Sequence, residues 1–283
     1  MRPEAGSGLV LLGGVLAVSF SAILIRLIHA PSLLIAAWRL TIAAALLGPW
    51  ALGRGERPPA RGVSLALLSG LFLALHFSLW IESLRHTTVA SSVVLVTTNP
   101  IFVGLASLLF GEAPSAALWQ GIALATAGGA LVGWGDFALG GEALVGDALA
   151  LGGALMESAY LLVGRLARNW GGLLPYVAIS YGTAAGLLLS VLAASPGPFL
   201  PRAEDWVWIA LLALGPQLLG HTSFNRALRS LPASLVAVAI VGEPVGAAIW
   251  AYLVFGEVIR PLQGVGIVLI LVGIVRSIRS VRL

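Results

Sequence analysis

The sequence predicts an all-α integral membrane protein: ten transmembrane helices arranged as two inverted five-helix repeats. Three observations carry this. The 283 residues are 59% hydrophobic and only 10% charged, where a soluble domain carries about 25% charged residues. Ten apolar runs follow one another, each near the 20 residues that a helix needs to cross about 30 Å of hydrocarbon. Markers in the first half recur in order in the second, at offsets of 139 to 145 residues.

The runs cover 8–28, 33–50, 63–84, 88–110, 116–134, 147–166, 173–193, 205–225, 231–255 and 261–279, numbered here as spans 1 to 10. The first has the make-up of a signal peptide. It lacks a small-residue cleavage site, and nine further runs follow it, so it reads as a span. Connections are tight. The longest polar ones are "GRGERPPARG" at 53–62 and "GDFALGGEALVGD" at 135–147. This divides the chain into a first repeat at 1–134, a connecting loop at 135–146 and a second repeat at 147–283.

Orientation follows from arginine, since all 16 basic residues are Arg. With the N-terminus cytoplasmic, the inner side receives eleven: Arg2, Arg54, Arg57, Arg61, Arg165, Arg168, Arg226, Arg229, Arg276, Arg279 and Arg282. The outer side receives four, Arg26, Arg85, Arg202 and Arg260. The positive-inside bias places both termini in the cytoplasm of a cytoplasmic (inner) membrane protein. The single arginines are scattered between apolar runs, so the net charge of +4 implies no nucleic-acid partner.

The repeat is read from ordered matches. "LGGVL" at 12–16 matches "LGGAL" at 151–155, and Arg26 matches Arg165, both at offset 139. Leu84-Arg85 matches Leu228-Arg229, and Pro100 matches Pro244, at offset 144. "LLFGE" at 108–112 matches "LVFGE" at 253–257 at offset 145, which also pairs Gly121 with Gly266 and Gly128 with Gly273. Five spans per repeat is odd, so the second copy enters the membrane from the opposite face. Inverted repeats of this kind recur in alternating-access transporters.

Counting 1.5 Å per residue from span ends puts Ser19, Arg39, Thr41, His76, Asn99, Glu157, Tyr181, Gln217 and Glu243 near mid-depth. A charge there costs about 2.5–3.5 kcal/mol on insertion scales, so three of them imply partners or water in a central polar cavity. Two readings of Arg39 stand: a bidentate contact to a substrate carboxylate, or a clamp on Glu243 or Glu157. Glu157 has Val18 as its repeat mate, so symmetry requires no acid there, and it is a candidate for proton or cation binding. His76 and Trp80 share a helix face and are candidates to line a pocket, the alternative being a packing histidine. Tyr160 lies close to the face of Glu157. His221, Asn225 and Arg226 fall near the inner end of their span and read as surface anchors.

Pro100 and Pro244 interrupt spans 4 and 9 at matching points. A proline frees a backbone carbonyl one turn back, which hydrocarbon tolerates only beside protein or a water-filled cavity. The pair therefore marks cavity walls or hinges.

Enzyme classes find little support. The chain contains neither cysteine nor lysine, so thiolate, Ser-Lys and Cys-zinc chemistry are excluded, and there is no HExxH or nucleotide loop. "GWGD" at 133–136 is similar to the Gly-x-Gly-Asp of intramembrane aspartyl proteases. Asp136 lies at a span end, however, and no second aspartate lies at depth.

Three stretches resemble the drug/metabolite transporter superfamily in its ten-span EamA-type branch. They are "TTNPIFVGLASLLFGEAPSAALWQGIALATAGGALV", "VGEPVGAAIWAYLVFGEVIRPLQGVGIVLILVGIV" with its Glu-Pro, and "AAWRLTIAAALL" with Arg39. One departure is that Tyr181 stands where the second half would match Arg39. The resemblance implies a secondary active transporter of a small metabolite, an amino acid or similar amphipathic solute, working as an exporter without cofactor or metal. Lipid flippase and channel-like facilitator are the alternatives. The expected substrate-binding set is Arg39, His76, Trp80, Asn99, Glu157, Tyr160, Tyr181 and Glu243, with Pro100 and Pro244 as helix breaks. Expected partners are the small-molecule substrate, membrane lipid and a proton as coupling ion, in a monomer or homodimer.

Overall fold

The computed structural model describes residues 3–87, 89–111, 113–134, 141–256 and 258–280. All regular secondary structure among them is helical. Eight helices are long and apolar enough to cross a membrane, and two shorter apolar helices cover 91–107 and 116–132. Spans 2, 3, 5, 6, 7 and 10 are the single helices Ser32–Gly53, Ala60–His86, Ala116–Gly133, Glu142–Ala167, Leu173–Ala194 and Pro261–Ser280. Span 6 thus begins within the stretch read from the sequence as connecting loop. Asp136, Glu112 and Glu257 lie outside the described residues.

Proline and glycine punctuate the chain. Pro31, Pro59 and Pro232 stand in extended conformation immediately before helices, where a missing N–H costs nothing. Gly111 and Gly256, the glycines of the two matched "FGE" sequences, both take left-handed backbone, φ 74° and 71°. A Cβ is disfavoured there, so the same residue ends span 4 and span 9.

The other four spans are interrupted. Span 1 comprises Pro3–Val18 and Ser21–Arg26, span 4 Val89–Val96 and Asn99–Ser107, and span 9 Ala233–Ile240 and Glu243–Phe255. Span 8, Trp206–Ala227, passes through a π-helical stretch at Ala213–His221 that contains Pro216. Spans 4 and 9 break at equivalent points. The Thr98 N–H donates to the Leu95 carbonyl (3.2 Å) and the Gly242 N–H to the Ala239 carbonyl (2.9 Å). Each tight turn takes up carbonyls of the ending half-helix. Pro100 and Pro244 therefore stand at breaks, as the sequence suggested, and neither kinks a continuous helix. Each is the second residue of a new helix, a position where proline is tolerated.

Packing follows the repeat. Span 3 lies along span 6 and span 1 along span 8, two pairs that exchange under the repeat; span 2 packs on span 7 and span 5 on span 10, each pair mapping onto itself. The last crossing is set by glycine. A Cβ on Gly128 would stand 2.6 Å from the Gly266 carbonyl oxygen, and one on Gly273 2.7 Å from the Gly121 oxygen. Residue number rises along one helix as it falls along the other, so the two spans run antiparallel, as odd-numbered inverted repeats require. Close backbone approach at small residues is the usual glue between membrane helices.

At this crossing Gly128→Ala should destabilise the protein by about 1–3 kcal/mol through overpacking against backbone. Its neighbour Gly129, whose added Cβ meets no heavy atom within 4 Å, should tolerate Ala or gain up to about 1 kcal/mol from helix propensity. Thermal unfolding of the two variants in detergent checks this, and equal melting temperatures would contradict the crossing.

Candidate functional site

The interruptions of spans 4 and 9 lie near the middle of each span, and the side chains around them converge. Val18 and Ser21 of span 1, His76 and Trp80 of span 3, Val96 of span 4, Glu157 of span 6, His221 and Phe224 of span 8 and Glu243 of span 9 line one cavity. The two repeats thus supply its wall together. The free space is small, about 10 Å³, room for about one water molecule. In this conformation the space is too small for a metabolite.

The acidic side is built by the helix breaks. Asn99 and Glu243, repeat mates, are each the first residue of a half-helix. The Asn99 amide donates to Glu157 Oε2 at 3.0 Å, and the Ser158 hydroxyl donates to the Asn99 carbonyl at 3.2 Å. Span 4 is thereby fastened to span 6 across the repeat boundary. Asn99 Oδ1 is buried without a partner. Glu157 and Glu243 line the same cavity.

The histidine side has a defined tautomer. His76 Nδ1 lies 3.0 Å from the Gly153 carbonyl oxygen. A carbonyl only accepts, so Nδ1 carries the proton. The His76 ring stacks on Trp80, with centroids 5.9 Å apart and planes 13° apart. The shared face expected from the sequence is formed, and both residues are on the cavity wall.

Arg39 is placed differently. It is fully buried, its guanidinium carbon lies 4.0 Å from the centroid of the Phe77 ring, and none of its three nitrogens has a hydrogen-bond partner. The clamp on Glu157 or Glu243 considered from the sequence is not formed in this conformation. A cation–π contact, worth about 0.5–2 kcal/mol, takes its place. Arg39 is not on the cavity wall.

Tyr160 and Tyr181 are not on the wall either. They belong to a buried hydrogen-bonded layer between the cavity and the end of the molecule that bears the termini. Asn225 Nδ2 donates to the Tyr160 hydroxyl at 2.5 Å and to the His221 carbonyl at 2.8 Å. Tyr181 pairs with the Thr222 hydroxyl at 3.2 Å, and Tyr176 with the Ser69 hydroxyl at 2.6 Å. His221 and Asn225, read from the sequence as surface anchors, are therefore interior residues, whereas Arg226 is exposed. Span 8 continues to Ala227, deeper than the apolar run implied. Gln217, His221 and Asn225 recur at four-residue spacing, and that polar stripe was the signal for an inward face.

Asn225 Nδ2 uses both of its protons, so Tyr160→Phe should leave one buried donor unpaired and cost about 1–3 kcal/mol. Tyr252→Phe, at a side chain 52% exposed, should leave thermal unfolding unchanged. A melting temperature unaltered by Tyr160→Phe would contradict the network.

Comparison with known proteins bears on the whole chain. A solved crystal structure, described only as that of a protein, superposes with a TM-score of 0.82 at 20% identity, covering 99% of this chain and 100% of that one; at this identity the likeness is one of fold. No curated protein matches the chain. The model of the EamA-like transporter family matches residues 6–134 and 144–279, one match to each repeat. The chain is a multi-pass membrane protein that belongs to the EamA-like transporter family.

Proposed function

We propose that the chain is a secondary active transporter that carries a small metabolite, an amino acid or similar amphipathic solute, across the cytoplasmic membrane by alternating access. The observation that carries this reading is the cavity at the two helix breaks. It brings Glu157, Glu243, His76 and Trp80 together from both repeats at mid-depth. Half-helices ending at the midplane are how transporters present polar groups to a solute. Trp80 and Phe224 supply an apolar contact, and Glu157 and Glu243 a seat for an amino group or a proton. Arg39 faces a carboxylate once Phe77 moves aside, and Tyr160 and Tyr181 contact the solute once their layer opens. Export is the direction the family resemblance implies, with both termini cytoplasmic.

Glu157 accepts from Asn99 and shares the cavity with a second carboxylate, Glu243, so its protonation is tied to what else occupies the cavity. This makes it the coupling group. In proteoliposomes given a panel of labelled amino acids, the wild type should exchange at least one and accumulate it against its gradient when a pH gradient is imposed. Glu157→Gln keeps the shape and removes the charge. It should retain exchange and lose the pH-driven accumulation. Accumulation by the variant at the wild-type rate would remove Glu157 from coupling, and absence of flux for every solute would remove the transport reading.

Orientation has a separate test. The chain has no cysteine, so single cysteines placed near residues 5 and 280 report cleanly. Both should be shielded from an impermeant thiol reagent in intact cells and labelled in inverted vesicles. Labelling of either end in intact cells would contradict a cytoplasmic location.

A further inference from the structure

A second cavity lies on the membrane-facing side of the molecule, between spans 1, 9 and 10. It is a groove of about 280 Å³ lined by residues such as Leu11, Val15, Leu235, Ala239, Leu271 and Ile274. Ser19 is the one polar residue in its lining. The Ser19 hydroxyl is already engaged, donating to the Leu16 carbonyl at 2.7 Å and accepting from Trp250 Nε1 at 2.8 Å. The groove therefore offers hydrocarbon contact along its whole length. Around it Leu9, Leu12, Leu16, Ile249, Leu271 and Ile278 are exposed, so it is continuous with the bilayer interior.

Its length and charge identify the occupant. The mouth is at Gly8, Leu231 and Ile278 and the floor at Ser19 and Gly246. The 11-residue rise from Gly8 to Ser19 is about 16 Å, one leaflet's share of a hydrocarbon core of about 30 Å. Arg229 and Arg279, both exposed, lie two residues before the lining residue Leu231 and next to the lining residue Ile278, at the end bearing the termini. Paired arginines beside a one-leaflet apolar slot match a lipid with a hydrocarbon tail and an anionic head. We propose that this groove seats one acyl chain of an anionic phospholipid from the leaflet on the side of the termini. The groove is apolar and ends at mid-depth, so the lipid is held there and not passed across.

The floor gives the site a consequence. Gly242 and Gly246 line the groove, while Glu243 between them lines the central cavity. The Phe20 ring stacks on Trp250 with centroids 4.1 Å apart. A tail seated against the floor thus bears on the breaks of spans 1 and 9 from the side opposite the cavity.

The test uses delipidated full-length protein in neutral detergent. It is titrated with dioleoylphosphatidylglycerol, dioleoylphosphatidylcholine or glycerol 3-phosphate and read by native mass spectrometry and thermal unfolding. The wild type should retain one phosphatidylglycerol, roughly tenfold more tightly than phosphatidylcholine, with a raised melting temperature, and show no response to glycerol 3-phosphate. Ala239→Phe, which fills the groove, should lose the adduct. The double variant Arg229→Gln and Arg279→Gln leaves the groove intact and should bind phosphatidylglycerol only as well as phosphatidylcholine. The proposal falls if glycerol 3-phosphate alone stabilises the protein, if the wild type shows no preference or no adduct, or if folded Ala239→Phe keeps the lipid. It also falls if the arginine double variant keeps the preference, an outcome readable even where Ala239→Phe does not fold.

Discussion

The cost of a polar or charged group at the middle of a bilayer is the constraint on which the rest of this molecule depends. Arg39, Glu157 and Glu243 are each about 2.5–3.5 kcal/mol unfavourable at the centre of an isolated span. The protein supports the acids with backbone as well as side chains. Spans 4 and 9 break at equivalent points, so two half-helix N-termini fall at mid-depth. One begins at Glu243, where the positive end of the helix dipole favours a carboxylate. The other begins at Asn99, which donates to Glu157. Glu157 belongs to the second repeat and Asn99 to the first, so neither half completes the site alone.

The same constraint explains why the centre is closed. Space for about one water leaves the acids shielded and the histidine pair His76 and His221 with ring centroids 6.3 Å apart. Both ends of the molecule are fastened. At the end opposite the termini, the His29 N–H donates to Asp205 Oδ1 at 3.0 Å, and Arg85 donates to the Ser32 hydroxyl and the Ala30 carbonyl. At the other end Arg165 donates to the Leu228 and Arg229 carbonyls, above the tyrosine–asparagine layer. Among the described residues, the buried Arg39 nitrogens and Asn99 Oδ1 make no hydrogen bond to protein. Each carries a penalty of about 1–3 kcal/mol.

Much of the fold was legible in the sequence because a bilayer imposes simple rules on length and polarity. The offset that pairs Gly121 with Gly266 and Gly128 with Gly273 is a symmetry. The contacts it generates are the crossed ones, Gly121 with Gly273 and Gly128 with Gly266, which follow once the two helices are antiparallel. The matched "FGE" glycines were legible as a repeat, though their left-handed backbone was not. Side-chain placement was harder. His221 and Asn225 were misplaced because they were judged by distance from the span end, whereas the face they share with Gln217 decides their burial. The environment of Arg39 depends on which ring its long side chain meets, and no pattern within span 2 indicates Phe77 on span 3. The prolines were legible as helix breaks at matching points, though their place in the first turn of a new half-helix was not.

Solvent access to the shared cavity tests the central claim most directly, that the two repeats enclose a site open alternately to each side. Ser21 lines this cavity and is 2% exposed, and the protein has no competing thiol. A cysteine at position 21 should react with an impermeant reagent added to either side of a vesicle, with a transported solute lowering both rates. Reaction with a membrane-permeant reagent alone, whatever the side or solute, would place residue 21 in packed protein or lipid and contradict the account.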